Sequence, residues 1–249
     1  MPRCVTFIGP LAWAGNVRSV LQVPLIVFGA GKVGRALMRQ VLESAAQHAA
    51  RDGLALHVVA WADSTGAVVD TDGLGPETLR AVEAAKSRGT PLQDSPVGYR
   101  QDDLQAIVDV AGTDGCVVVD VTASAETMPA LDLALHRGYA VATANKLVLT
   151  GPQAQFDRLL DSRRFRYEST VGSAVPVIEA LNGLLRAADR IDAIQGALSG
   201  TLGFLCTGLE AGRPFSELVA EAMRRGYTEP DPRADLGGLD VARKALILA

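Results

Sequence analysis

A glycine-rich segment near the start of the chain places the strongest limit on its fold. It reads Gly29-Ala30-Gly31-Lys32-Val33-Gly34 and lies between an apolar segment, residues 25–28, and an alanine-rich one, residues 32–50. Between a strand and a helix, the first glycine permits a tight turn, the second lets a pyrophosphate approach the backbone, and the third allows close packing of helix on strand. Amides at the start of the helix supply an anion site. The alternative is a glycine turn without a ligand, but this context favours a dinucleotide site.

Residues 24–150 alternate between strand-like and helix-like segments. Residues 54–62 and 116–121 are almost continuously apolar, which is typical of strands in a parallel sheet covered on both faces. This βαβ succession predicts an α/β fold with a Rossmann-type doubly wound parallel sheet. The other elements predicted here are a strand at 25–28, helices at 32–50, 76–87 and 128–137, and a strand at 139–143. The helix at 76–87 lies in a Gly-, Asp- and Pro-rich surface excursion, residues 64–96.

Gly151-Pro152 interrupts this pattern and marks the predicted domain boundary. We expect an N-terminal extension at residues 1–22, a dinucleotide-binding domain at 23–150, and an α+β substrate-binding and dimerisation domain at 151–249. The final residues, ARKALILA, are helical in pattern without a stop signal, so we interpret this second domain as incomplete. Its predicted elements are strands at 165–169 and 191–198, helices at 174–187, 201–210 and 214–225, and a last helix around Lys244.

Composition narrows the classes of function. The net charge of −4, with scattered Lys and Arg, argues against nucleic-acid binding, and no run approaches the roughly 20 apolar residues that span a membrane. Three irregularly spaced cysteines imply no disulfide framework and suit a reducing cytoplasm. We therefore expect a cytoplasmic protein that binds small molecules, without a nucleic-acid or membrane partner.

Polar residues follow the predicted strands, at the edge of the sheet where ligands bind in this architecture. Asp63 stands where an acid would bind a ribose hydroxyl of NAD, but a turn-forming Asp fits equally, so the choice between NAD and NADP stays open. Thr122-Ala123-Ser124 could lie under a nicotinamide ribose, and Ser124 could also cap a helix. After the next strand, Asn145-Lys146 is either a ligand-binding lysine or a surface lysine after a turn.

Residues 226–244 concentrate acidic side chains around one lysine. The segment reads GYTEPDPRADLGGLDVARK and leads into an apolar helix. Asp240 and Lys244 are four residues apart, so they project from the same helical face, and the carboxylate can pair with an amine that would be costly to bury alone. The alternative is an exposed ion pair of little energetic weight.

Taken together, these segments resemble the homoserine dehydrogenase family from about residue 25 to residue 249. The resemblance is strongest in YESTVGSAVPVIEALNGLL (167–185), GALSGTLGF (196–204) and GYTEPDPRADLGGLDVARKALILA (226–249). It implies reversible hydride transfer between L-homoserine and L-aspartate 4-semialdehyde with NAD or NADP, in the aspartate-derived synthesis of threonine and methionine. It also implies a homodimer for the full-length chain.

The resemblance further implies roles for individual residues. Lys244 corresponds to the catalytic lysine and Lys146 to a second active-site lysine. A cationic lysine can stabilise the oxyanion that forms as hydride reaches an aldehyde carbon, and can protonate it. The residues implied in substrate binding are Glu229, Asp235, Asp240, Gly200, Thr201 and Tyr227. Those assigned to the cofactor are Gly29, Ala30, Gly31, Lys32, Val33, Gly34, Asp63, Thr122, Ala123, Ser124, Asn145 and Lys146.

A monovalent cation, Na⁺ or K⁺, is also implied by the resemblance. Its ligands correspond to Glu168, Val171, Ser173 and Val175. The loop reads VGSAVP, where the family commonly has VGAGLP, so Ala174 places a Cβ where glycine is usual. Two other interpretations remain: a Rossmann oxidoreductase of another small aldehyde, and a dinucleotide-binding protein without turnover.

Overall fold

The computed structural model describes residues 20–228, 233 and 236–249, and its centre is a six-stranded sheet in the order β3-β2-β1-β4-β5-β6. The antiparallel pair is β2–β3, and the other neighbouring strands are parallel. The chain winds from β1 to one edge and then returns to fill the other, so the predicted doubly wound sheet is confirmed. The strands are β1 (Leu21–Phe28), β2 (Leu54–Asp63), β3 (Gly66–Val69), β4 (Val117–Asp120), β5 (Ala140–Thr143) and β6 (Phe165–Arg166).

Helices cover both faces of the sheet, and β1 shows why its sequence is continuously apolar. Leu25 and Val27 belong to one buried cluster, which includes residues of α1 and α2, whereas Ile26 and Phe28 belong to the other, which includes residues of α3 and α4. Along residues 25–28, neither face of the strand meets water. The helices are α1 (Lys32–Gln47), α2 (Pro76–Ser87), α3 (Leu104–Ala111), α4 (Met128–His136), α5 (Gln153–Asp161), α6 (Val177–Arg186), α7 (Gly200–Glu210), α8 (Phe215–Arg224) and α9 (Leu239–Leu248).

The predicted strand at 191–198 is wrong. Residues 191–199 have no regular secondary structure, and residues 192–197 are exposed. A strand exists only when a neighbour takes up its backbone hydrogen bonds, and no described segment pairs with this one. Among the strands and α-helices of the described residues, the sequence pattern missed the short antiparallel strand β3 and the helices α3 and α5.

The sheet continues past the predicted domain boundary at residue 150. Both α5 and β6 follow that residue, and β6 pairs in parallel with β5. Further on, α7 and α8 share the small cluster of Leu205, Leu218 and Ala222, while Ile247 of α9 joins the core of the sheet. The boundary therefore stays a prediction. None of the helices in the described ranges has the length and apolar character to cross a membrane.

Candidate active site

The glycine loop connects β1 to α1 in the geometry that the sequence predicts. Gly29 has a φ of +109°, and its carbonyl accepts a hydrogen bond from Trp61 Nε1 at 3.0 Å. A Cβ on Gly34 would lie 1.9 Å from the Gly29 oxygen, whereas one on Gly31 would meet no atom within 4 Å. No side chain of the described residues caps α1. Its first N–H groups are therefore available to an anion.

A cavity of about 1230 Å³ opens at the carboxyl ends of β1, β2, β4 and β5. This is the switch point of the doubly wound sheet, where such folds bind ligands. Of the residues predicted to bind a cofactor, those that line the cavity are Gly29, Ala30, Gly31, Val33, Asp63, Thr122, Ala123, Ser124 and Lys146. Lys32, Gly34 and Asn145 are not part of the lining.

Asp63 has a partner that the sequence did not reveal. Its Oδ2 lies 2.7 Å from Lys86 Nζ, and its Oδ1 accepts hydrogen bonds from the amide and hydroxyl of Thr65. Burial raises the pKa of Asp63, but the hydrogen bonds from Lys86 and Thr65 outweigh it and hold that pKa below the ordinary value. Lys86 also lines the cavity. The acid that the sequence assigns to the ribose, Asp63, is therefore already paired with a lysine inside the cavity.

Asn145 and Ser124 hold the loops around the cavity in place. The side-chain nitrogen of Asn145, Nδ2, donates to the Ser124 carbonyl at 2.7 Å, and its side-chain oxygen accepts from Leu147 N. Ser124 Oγ accepts from Glu126 N at 3.2 Å, so the helical-cap interpretation of Ser124 is confirmed while the residue also lines the cavity. Asn145 is buried and does not line the cavity, so it supports the loops that do.

Two lysines from distant parts of the chain share one carboxylate. Lys244 Nζ lies 2.7 Å from Asp240 Oδ2, and Lys146 Nζ lies 3.3 Å from Asp240 Oδ1. Lys244 also donates to the Leu198 carbonyl at 2.7 Å. Partial burial raises the pKa of Asp240, but the hydrogen bond from Lys244 and the charge of Lys146 hold it below the ordinary value. The predicted Asp240–Lys244 pair is thus present and extends to the edge of the cavity.

The other predicted substrate residues lie at the start of α7 and after α8. α7 begins at Gly200, and the hydroxyl of Thr201 donates to the Tyr227 carbonyl. The ring of Tyr227 packs edge-on against Phe204, 5.3 Å between centroids, with Arg225 over both rings. Glu229 and Asp235 lie outside the described residues.

Glu168 ties the predicted cation loop to the first turn of α6. Its two carboxylate oxygens accept from the amides of Ile178 and Glu179 at 2.9 and 2.8 Å. Ser173 adopts a φ of +56°, Val171 is buried, and Val175 is exposed. Carboxylate and carbonyl oxygens are ligands of hard cations, and the cation site at this loop stays a prediction. The described residues contain no group of three or more His, Cys, Asp or Glu that could hold a metal ion.

The fold, the glycine loop and the cavity at the switch point define a Rossmann-type dinucleotide-binding protein. Comparison with known families agrees and is more specific. A family model described as homoserine dehydrogenase, NAD binding domain, matches residues 29–167, and one described as homoserine dehydrogenase matches residues 176–249. The chain belongs to the homoserine dehydrogenase family.

The individual relatives are longer than this chain. It is 36% identical over 237 residues to a bifunctional aspartokinase/homoserine dehydrogenase 1 of Arabidopsis thaliana, covering 93% of this chain and 25% of that protein. It is 30% identical over 238 residues to a homoserine dehydrogenase of Saccharomyces cerevisiae, covering 91% of this chain and 62% of that one. A hyperthermophilic archaeal homoserine dehydrogenase in complex with NADPH superposes with a TM-score of 0.75 at 26% identity, covering 92% of this chain and 69% of that chain. The chain thus spans about a quarter of the bifunctional relatives and less than two thirds of the yeast protein.

Proposed function

We propose that the chain catalyses reversible, NAD(P)-dependent hydride transfer between L-homoserine and L-aspartate 4-semialdehyde. The observation that carries this proposal is the pair of lysines on Asp240. Lys146 lines the dinucleotide cavity, and Lys244 contacts the other oxygen of the shared carboxylate. One ammonium group therefore faces the cavity in which a dinucleotide would be bound, and Asp240 links the second to it.

The residues of the chain supply charge and orientation to this reaction. A bound reduced nicotinamide provides the hydride. Lys244 stabilises the negative charge that grows on the carbonyl oxygen and donates a proton to it. Its hydrogen bonds to Asp240 and to the Leu198 carbonyl fix the direction of the amine, which is the pre-organisation that such a step requires.

The acidic residues complement the other end of the substrate. Asp240 is held ionised by its two lysines and offers negative charge to an amino acid's ammonium group, as do Glu229 and Asp235 in the proposal. Gly200 and Thr201 would contact the substrate from the start of α7, and Tyr227 stands next to Thr201 through the hydrogen bond to its carbonyl. An aldehyde at one end and an ammonium at the other match this distribution of charge.

The decisive experiment measures oxidation of NADPH and NADH by the whole chain with L-aspartate 4-semialdehyde. We expect Lys244→Met to lower kcat by about 100-fold or more, because loss of a general acid typically costs that much. Arg243→Met removes the neighbouring cation of α9 and is the matched control, which should retain turnover. Cofactor binding without turnover in the parent chain would instead identify a dinucleotide-binding protein without activity.

We also propose a cytoplasmic homodimer with Na⁺ or K⁺ at Glu168, Val171, Ser173 and Val175. The apolar side chains of Leu184 and Leu185 on α6 are exposed, and a second copy would cover them. Light scattering of the purified protein tests the dimer. Turnover in Na⁺, K⁺ and an organic-cation buffer at equal ionic strength tests the cation.

A further inference from the structure

Asp120 is a fully buried acid that has no part in the chemistry described so far. It ends β4, and none of its surface is exposed. Four donors of two neighbouring loops surround its carboxylate. They are Thr122 N at 2.9 Å and Thr122 Oγ1 at 2.7 Å on Oδ1, and Thr127 Oγ1 at 2.8 Å and Asn145 Nδ2 at 2.9 Å on Oδ2. With donors on both oxygens, the group serves as an acceptor only, as a carboxylate does.

The four donors come from the two loops that border the cavity. Thr122 and Thr127 belong to the loop after β4, and both line the cavity. Asn145 belongs to the loop after β5 and is followed directly by Lys146, which pairs with Asp240. The Asp120 carbonyl adds a further link, because it accepts from Ala144 N at 2.9 Å. One carboxylate therefore joins the cofactor side of the site to the lysine side.

Burying this acid without a cation is costly unless hydrogen bonds replace its lost hydration, and here its four donors do so. In the described part of the chain, Asp120 forms no ion pair. An asparagine would keep the shape of the side chain, but its amide could accept on one side only. The NH₂ group of the asparagine would then face another donor, such as Asn145 Nδ2, and the hydrogen bond between them would be lost. The geometry therefore requires the carboxylate in particular.

We infer that Asp120 is a positioning residue that holds the loop after β4 under the cofactor and, through Asn145, holds Lys146 beside Asp240. The predicted effect of Asp120 on turnover rests on the proposed function. The predicted effect of Asp120 on cofactor binding does not depend on that function. Asp120 acts through Thr122, Asn145 and Lys146 and touches neither substrate nor cofactor.

The test is Asp120→Asn in the whole chain, compared with Val118→Ala. Val118 is fully buried in the same strand, so this control lowers the melting temperature by loss of packing without touching the carboxylate. We expect Asp120→Asn to raise the dissociation constant of NADPH and to lower kcat, each by about tenfold, because small misplacements of positioned groups cost that much or more. Val118→Ala should leave both within about twofold.

A second background shows whether Asp120 acts through Lys146. With Lys146→Met already present, Asp120→Asn should change kcat far less than in the parent, because the positioned group is gone. An equal loss of kcat in both backgrounds overturns the inference, as does an Asp120→Asn variant whose NADPH affinity and kcat match those of Val118→Ala. If the parent has no turnover, the proposed function fails while the NADPH dissociation constants still decide the role of Asp120.

Two less disruptive variants test the same inference if the Asp120→Asn variant does not fold. Thr127→Val removes one donor to the carboxylate, and Thr127→Ser keeps it. The valine variant should weaken NADPH binding relative to the serine variant at a similar melting temperature. Equal affinities in the two variants contradict the inference.

Discussion

The ammonium of Lys86 lies 2.7 Å from the carboxylate of Asp63, with 14% of each side chain exposed, at the end of β2 where the ribose of a dinucleotide is expected. Thr65 occupies the other carboxylate oxygen. A ribose diol must therefore compete with Lys86 for Asp63. A phosphate on the same ribose would instead gain a cation within a largely buried pair.

We predict that Lys86→Met weakens binding of NADPH by about 10- to 100-fold, the usual loss for a charged hydrogen bond. Binding of NADH should change by less than about threefold, because it has no phosphate at this position. Fluorescence titration with both cofactors measures this, and competition by 2′,5′-ADP against 5′-AMP repeats it without the nicotinamide. Arg80→Met removes a cation from the same helix outside the cavity lining and should alter neither affinity. Equal losses for both cofactors in Lys86→Met would contradict the prediction.

The lowered pKa of Asp63 predicts a pH-dependent contribution to stability. Because the folded pKa lies below the ordinary value, the ionised form stabilises the fold above an unfolded pKa of about 4. That contribution is lost as the pH falls through the folded value. Urea unfolding of the parent and of Asp63→Asn from pH 7 to pH 2 should show a gap that is constant at neutral pH and narrows below pH about 4. A gap that is unchanged at pH 2 would exclude this linkage.

Two glycines of the same loop should respond differently to alanine. A Cβ at Gly34 would lie 1.9 Å from the Gly29 oxygen, so Gly34→Ala should displace α1 and lower the melting temperature. A Cβ at Gly31 meets nothing within 4 Å, so Gly31→Ala should leave the melting temperature nearly unchanged. Its methyl group would nevertheless occupy the place of a pyrophosphate, and NADPH affinity should fall by about tenfold or more. Thermal unfolding with NADPH titration measures both, and wild-type affinity in Gly31→Ala would place the cofactor elsewhere.

Asp240→Asn should separate substrate binding from cofactor binding. Removing the charge takes away the common partner of Lys146 and Lys244 and leaves two cations facing each other. We expect kcat/KM for L-aspartate 4-semialdehyde to fall by about 100-fold, which is about 2.7 kcal/mol of transition-state stabilisation. The NADPH dissociation constant should stay within about twofold of the parent value. A variant that loses both in equal measure would show that Asp240 supports the fold rather than the site.

The parts of the fold that the sequence predicts are those determined by neighbouring residues. The glycine loop, α2 and the apolar strands follow from local spacing, and so does the Asp240–Lys244 pair on a single helix. Lys86 could not be assigned to Asp63 in this way, because α2 lies in a stretch that reads as a surface excursion. The link from Asp240 to Lys146 joins α9 to the loop after β5 and depends on tertiary packing.

The prediction of a strand at 191–198 was wrong because it also depends on contacts with distant segments. Its residues suit a strand, but strand formation depends on a partner that local sequence does not supply. The carboxylate of Asp120 is the clearest omission at the site. Its signal was present as an acid at the end of an apolar strand. Two of its donor residues, Thr122 and Thr127, follow in the next loop, but Asn145 is brought to it by the pairing of β4 with β5.

The two hydrogen bonds of Lys244 also limit where its remaining N–H can point. An ammonium group has three N–H donors, and among the described residues one is taken by Asp240 and one by the carbonyl of Leu198. The direction of the third is then fixed by the tetrahedral nitrogen. A carbonyl oxygen bound to that N–H would lie along this one direction, within hydrogen-bond distance of the nitrogen. The place at which a substrate aldehyde is held would thus be set by the two hydrogen bonds that Lys244 makes before any substrate arrives.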